Sequence, residues 1–558
     1  MIADSSEELQ PPLVADAATP PVASPSVTWL RAIPAWAWGL LLLALTFNLA
    51  IHLRLWSFPL ERDEGEFAYT AVRLLHGDLP YATVYNKKLP GVAYAYALSM
   101  LLAGETPAAV KLAGTAADLV SIALLFLLAV RLFSPLAGAI AALVYAVMAL
   151  APGILGNAAH ATHFVNGFVL AGLLTLLAAR ERRRAWLFAT SGLLFGLAVM
   201  MKQHAVFLAG FIGLWLLLAH ARRRQSLRHP LLFAGSLATP FAALALVLLA
   251  AGLLPTLWLW SFRYAASYGT GLPLAHLVLR FWDKFGDAVD GFLALWLLSA
   301  TGLGLLLFAS AVARPTKVVL GLYLAGVSLS VLPGGLFRAH YFVTLLPLVA
   351  LGSAYALERL LGFLGSRARV PHPAPLVLGA LAALLMVALL PNWRYFFVDD
   401  PGKLCRQIYH VNPFPESPGI GRFIKSRTTA ADTIAVLGSE AQLYFYSQRR
   451  AATGFIYVYG LMDGNSYSSE MQRQMMREIE EHRPKIIVVS NFYTSWLPTA
   501  TADNTILDWV HRYVNAGFRM IALVDVSERE TISKYFDEIP AYRPQKQQDT
   551  LYVFERVR

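Results

Sequence analysis

Stretches of roughly 20 apolar residues recur along this chain, and roughly 20 is what a helix needs to cross a bilayer. They lie near 34–53, 107–130, 135–152, 161–179, 185–201, 203–220, 230–251, 291–311, 317–334, 340–357 and 374–391. Of the 558 residues, 57% are hydrophobic and only 15% charged, whereas a soluble chain carries about a quarter charged. An ordinary cytosolic enzyme, a disordered chain and a disulfide scaffold are excluded. Cys405 is the only cysteine, so no intramolecular disulfide can form.

The basic residues orient the spans. Residues 91–104 are apolar but short, which suits an interfacial helix better than a span. Counting them as non-spanning gives about eleven spans with the N-terminus inside. The cytoplasmic loops then hold Arg131, Arg180, Arg182, Arg183, Arg184, Arg222, Arg223, Arg224, Arg228, Arg314, Lys317, Arg359, Arg367 and Arg369, against two acids, Glu181 and Glu358. Loops rich in Lys and Arg stay on the cytoplasmic side. The net charge of +11 is therefore an orientation signal and not a nucleic-acid surface.

Three regions follow: a disordered cytoplasmic tail over 1–31, without the basic start of a signal peptide; a membrane domain over 32–391, with an outer loop at 54–106; and an extracytoplasmic domain over 392–558. In the last, Thr433–Leu437, Lys485–Val489, Ile521–Val526 and Leu551–Glu555 read as strands, and 466–482 and 503–516 as helices stopped by Gly517. Alternating strands and helices predict a small α/β layer. A lone Gly438-Ser439 is too weak to be a phosphate loop.

This topology gathers Asp63, Glu64, Lys87, Lys88, His160, His163, Lys202, His204, Arg338, His340 and Tyr341 on the outer face. Ionisable groups at membrane depth are costly and mark a site. The segment Glu61-Arg62-Asp63-Glu64-Gly65-Glu66-Phe67-Ala68-Tyr69 runs on to Gly77-Asp78-Leu79-Pro80-Tyr81 and Asn86-Lys87-Lys88-Leu89-Pro90-Gly91. It resembles the first outer loop of the GT-C superfamily of polyprenyl-phosphate-sugar-dependent glycosyltransferases, above all the protein O-mannosyltransferase and lipid A aminoarabinose transferase group. Shared features are an acidic pair after the first span, a Gly-x-x-Pro-Tyr turn and a lysine motif opening an interfacial helix. Lys88-Leu89-Pro90 departs from the commoner Lys-Pro-Pro, which leaves Lys87 and Lys88 both open as the family lysine. Arg338-Ala339-His340-Tyr341-Phe342 with Pro347 resembles the family's basic-aromatic segment before a late span.

The resemblance implies a polytopic α-helical membrane enzyme with a GT-C-like fold. It would pass a sugar from a polyprenyl-phosphate donor to a lipid, glycan or protein hydroxyl at the outer face of the cell membrane. Asp63 would be the general base, with Glu64 beside it. Direct attack at C1 would invert the anomeric centre. Lys87, Lys88, Arg338 and His340 would hold the donor phosphate, and Tyr81, Tyr341, Lys202 and His204 would line the substrate cleft. A divalent metal is possible, though the sequence shows no complete ligand set.

Each assignment has a plainer rival. Asp63 with Glu66 has capping-box spacing, with Gly77 ending that helix. Glu64 suits a metal, acceptor orientation or a solvated surface. Lys87 and Lys88 suit exposed loop charges, and Lys202 and His204 suit snorkelling. His160 and His163, three apart, suit a shared metal or a structural role. Trp258, Trp260, Phe262, Tyr264 and Tyr268 suit an interfacial belt as well as a sugar platform. The alternative function is a transporter or flippase of lipid-linked sugars, which requires charges in the middle of several spans. Asp118 is the exception in spans otherwise nearly free of charge.

Overall fold

The computed structural model describes residues 28–222, 226–267, 273–310, 312–366, 373–527, 531–536, 544 and 549–557. Most of the tail expected over 1–31, together with Arg223, Arg224, Arg367, Arg369 and Tyr268, lies outside the described residues.

Ten helices lead into the membrane domain: α1 (Thr28–Arg31), α2 (Ala35–Arg54), α3 (Arg62–Leu75), α4 (Gly91–Ala103), α5 (Pro107–Leu132), α6 (Pro135–Met148), α7 (Ala161–Arg182), α8 (Ala185–Met201), α9 (Val206–Ala221) and α10 (Arg228–Ala250). Later helices cover Leu274–Val289, Leu293–Phe308, Arg314–Val331, Leu346–Ser366 and Pro373–Leu389. Each apolar run named above contains a helix among the described residues. Among the described residues, six helices are long and apolar enough to cross a membrane, or seven if Leu274–Val289 and Leu293–Phe308, bent by 109°, form one span. Eleven spans are therefore not all matched by full-length helices. α6 and α8 have 14 and 17 residues; at about 1.5 Å per residue they fall short of a bilayer core of about 30 Å.

α4 has 13 residues, the short apolar helix that the sequence implies. α5 starts with Thr106 as its cap, whose hydroxyl accepts from Ala109 N–H, and Pro107 in its first turn. This helix carries two buried ionisable groups, Lys111 and Asp118. Asp118 is thus not alone. It sits between two imidazoles, with His163 Nδ1 at 2.7 Å and His52 Nε2 at 3.1 Å, and a buried charge needs such partners.

The C-terminal region is a six-stranded mixed sheet flanked by helices. Its strands are β1 (Thr433–Leu437), β2 (Arg450–Ala451), β3 (Ile486–Asn491), β4 (Phe518–Val526), β5 (Thr531–Tyr535) and β6 (Thr550–Arg556), in the order β2-β1-β3-β6-β4-β5. β1 is parallel to β2 and β3, and the remaining pairs are antiparallel. The four expected strands and both helices form, the helices as Ser468–His482 and Thr505–Gly517. β2, with two residues, and β5, with no buried residue, carry no periodic signal.

Candidate functional site

α3 positions the acidic pair, and its cap decides which acid is available. The capping box joins Glu61 to Glu64: Glu64 N–H donates to Glu61 Oε1 at 2.8 Å, and Glu61 N–H to Glu64 Oε2 at 3.3 Å. The box therefore sits two residues upstream of the Asp63–Glu66 spacing. Asp63 is relieved of capping, while its negative charge still suits the first helical turn. After Leu75 the helix stops at His76, and Gly77 takes φ +92°, a left-handed value open to glycine.

The two neighbours differ sharply. Asp63 keeps 20% of its side-chain surface exposed, whereas Glu64 keeps 1%. Lys88 Nζ donates to Asp63 Oδ1 at 2.9 Å and to Glu66 Oε2 at 2.5 Å. Burial pushes the Asp63 carboxyl up, but the Lys88 charge outweighs it and holds Asp63 well below the usual carboxylate range. Lys88 is also burial-destabilised, yet the two carboxylates keep it firmly protonated. Its ammonium lies 4.6 Å from the Phe67 ring centroid and 5.4 Å from that of Tyr457. Lys88 is thus a partner of carboxylates more than a free phosphate ligand.

His160 and His340 complete the Asp63 side of the cleft. Their rings stack with centroids 4.1 Å apart. One ligand atom from each of Asp63, His160 and His340 lies within 4.8 Å of the others. Burial pushes His160 down to about 3, so it is a neutral imidazole. Its Nε2 is buried without a hydrogen-bond partner. One carboxylate oxygen and two neutral imidazole nitrogens form a donor set that Zn²⁺ or Mn²⁺ accepts. These residues fit a divalent ion, with Lys88 occupying only one oxygen of Asp63. His163 turns away to Asp118, so the His160–His163 spacing does not form a shared site.

Lys202 stands at the end of α8, its Nζ 3.5 Å from the centroid of Tyr341. His204 meets the same ring edge-on at 5.5 Å, and its Nδ1 is 3.0 Å from the Ser330 carbonyl oxygen. A narrow crevice is lined by Lys202, His204, Leu208, Ser330, Tyr341 and Thr344. Burial pushes Lys202 far down. Lys87 is pushed down to about 7, by burial first and then by Lys88, with Asp463 opposing. Arg338 lies close enough to Tyr459 and Tyr341 for its charge to act on both.

Tyr81 does not line this crevice. It is buried at φ +67°, and its hydroxyl donates to Lys88 O at 3.1 Å and pairs with Ser261 Oγ at 2.8 Å. It fixes the lysine loop. Trp260 and Tyr264 are buried, while Trp258 and Phe262 are exposed, so the aromatic run divides between packing and the outer surface.

The family described as dolichyl-phosphate-mannose-protein mannosyltransferase matches residues 87–253. The fold is similar to that of ArnT from Cupriavidus metallidurans in the apo state, with a TM-score of 0.60 at 14% identity over 93% of this chain and 98% of that one. The same protein bound to undecaprenyl phosphate matches with a TM-score of 0.57 at 15% identity, covering 95% and 98%. The oligosaccharyltransferase of Archaeoglobus fulgidus, in complex with Zn and sulfate, matches with a TM-score of 0.53 at 14% identity, covering 90% and 74%. No curated protein matches by sequence.

The chain shares the fold of ArnT and, over residues 87–253, matches the mannosyltransferase family.

The acidic pair and the lysine motif of the outer loop lie together, but the C-terminal domain reaches them too, which the sequence does not reveal. Arg62 donates to Ser439 O at 2.7 Å, Glu440 Oε1 at 2.6 Å, Tyr459 Oη at 2.9 Å and Asn412 Oδ1 at 3.1 Å. Gly65 lies so close to Gln442 that a Cβ would sit 2.4 Å from its backbone nitrogen. Leu60 N–H donates to Tyr446 Oη, Ala451 N–H to Tyr69 Oη, and Tyr85 N–H to Gly454 O. Residues 452–463 form a strap over the outer loop. Its Tyr457 faces Lys88, and its Asp463 accepts from Tyr264 Oη at 3.1 Å and acts on Lys87. Nothing in the aromatic stretch Tyr457-Val458-Tyr459 signals this placement, because it depends on contacts between distant segments.

Proposed function

We propose that this GT-C enzyme transfers a sugar from a polyprenyl-phosphate donor to an acceptor hydroxyl at the outer face of the membrane, with inversion. The observation that carries the reading is the partly exposed carboxylate of Asp63, set among Lys88, His160 and His340 beside the Lys202–Tyr341 crevice. The undecaprenyl phosphate in the similar ArnT structure and the dolichol-phosphate in the archaeal oligosaccharyltransferase AglB support a lipid-phosphate donor.

The chemistry is as follows. Asp63, held ionised, accepts the acceptor's proton as its oxygen attacks C1. A carboxylate of depressed pKa is a weak base, so the proton moves late, once the attacking oxygen carries positive charge. The phosphate leaves with the electrons of the C1–O bond. Lys87, in its protonated form, and Arg338 stabilise its growing charge, an effect strengthened in a cleft of low dielectric, and Arg338 offers a planar fork suited to phosphate. Lys88 keeps Asp63 ionised and aimed. His340 and His160, with Asp63, are the residues that would hold a divalent ion, which would supply further charge for the phosphate. Tyr341, His204 and Lys202 line the crevice. The inner-membrane orientation, with the N-terminus inside and residues 392–558 outside, belongs to this reading.

The test is purified protein with synthetic polyprenyl-phosphate sugars. Wild type turns over donor and Asp63→Asn does not. Equal turnover of the two excludes Asp63 as the base. A reporter fused at the C-terminus is active only outside the cytoplasm if the orientation is right.

A further inference from the structure

Glu64 follows Asp63 in the motif, yet its carboxylate is engaged on every side. Lys111 Nζ donates to Oε1 at 2.7 Å and to Oε2 at 3.0 Å. Ala159 N–H donates to Oε1 at 2.9 Å, and Glu61 N–H donates to Oε2. A carboxylate offers about four lone-pair sites, so none is left for substrate. Three segments meet here: the first turn of α3, which carries Asp63; α5, which carries Lys111; and the turn ending at Ala159, which precedes His160.

We infer that Glu64 and Lys111 are positioning residues. They form a buried clamp that fixes Asp63 and His160, carried on separate segments, at their working separation. Two further features support the clamp. Gly114, one turn beyond Lys111 on α5, leaves room for the same turn: a Cβ there would stand 2.7 Å from Ala159 Cβ. Two turns beyond Lys111, Asp118 binds His163 on α7, so α5 grips the His160 segment on both sides. The pair is 4% and 1% exposed, and no solvent-facing role competes with this one.

The clamp rests on Asp63 being the base, and the experiment separates the two ideas. Donor KM and kcat are measured for Glu64→Ala, for the double variant Glu64→Gln with Lys111→Met, and for Asp63→Asn. Glu64→Ala loses the acceptor for Ala159 N–H, and kcat falls about 100-fold, the scale of a 1 Å misplacement, while donor KM stays within about threefold of wild type. The double variant keeps an acceptor for Ala159 and leaves no unpaired charge, so it recovers to within about tenfold of wild type. A double variant as inactive as Asp63→Asn would make Glu64 a catalytic carboxylate and overturn the clamp. A folded Glu64→Ala with wild-type kcat would also overturn it. Should Glu64→Ala fail to fold, Gly114→Ala takes its place, since it keeps every charge and pushes on Ala159: the clamp requires lower kcat at unchanged donor KM, and wild-type kcat overturns it. If Asp63→Asn stays active, the base assignment fails, and the clamp then stands only where the double variant still recovers the kcat that Glu64→Ala loses.

Discussion

The outer loop over 54–106 and the strap over 452–463 meet at one ammonium, that of Lys88, but they bring different physics to it. The outer loop supplies charge: Asp63 and Glu66 bond Lys88 directly. The strap supplies aromatic surface, through Tyr457. The loop is ordered by its own local devices, a capping box and a tyrosine pin. The strap is ordered by docking, chiefly through the groups around Arg62. Charge chemistry can be written in a short motif, whereas a docked wall is built from residues far apart in the chain.

The largest expected effect tests the charged side. Asp63→Asn lowers kcat by about 10²–10⁴-fold, the range of general-base catalysis, as read in single-turnover assays. The next tests docking. Arg62→Ala leaves Glu440 buried and unpaired, which costs about 3–5 kcal/mol; a lower melting temperature and faster proteolysis near residue 400 report it. If Arg62→Ala melts like wild type, the strap is held by other means and the contrast weakens.

Smaller effects sharpen the contrast. Tyr457→Ala removes a ring facing Lys88, worth about 0.5–2 kcal/mol, and lowers kcat/KM accordingly, while Tyr457→Phe retains activity. Tyr81→Phe loses one hydroxyl and its two bonds, about 1 kcal/mol, and shows as a modest rise in donor KM. The pH profile gives the finest test. Burial and Lys88 bring Lys87 down to about 7. Only its protonated form attracts phosphate, so kcat/KM is at its plateau below pH 7 and falls as pH rises through 7. Lys87→Arg, protonated throughout, removes that descent.

Much of the fold is legible in the sequence because membrane helices and buried strands are written in local periodicity. The apolar runs and β1, β3, β4 and β6 follow from it. Within the site, Asp63, Lys88 and Tyr341 sit on recognisable segments, and the structure brings them together. Lys111 escapes notice because one lysine hardly alters the hydropathy of a 26-residue helix. His160 is ambiguous in sequence, since the spacing to His163 suggests a pair that α5 pulls apart through Asp118. The cap register is likewise open: Glu61–Glu64 and Asp63–Glu66 have equal spacing, and Lys111 claims Glu64 while Lys88 claims Asp63 and Glu66. What sequence cannot carry is which distant cation claims which local carboxylate.

Arg62 and Asp63 are consecutive on one helical turn, one clasped by the C-terminal domain and the other facing the cleft. Any movement of that domain turns the helix end and re-aims the carboxylate. Grafting a relative's outer domain onto these spans would therefore change catalysis even with every membrane residue kept. A working chimera must carry residues 412 and 439–463 as one unit with the first turn of α3.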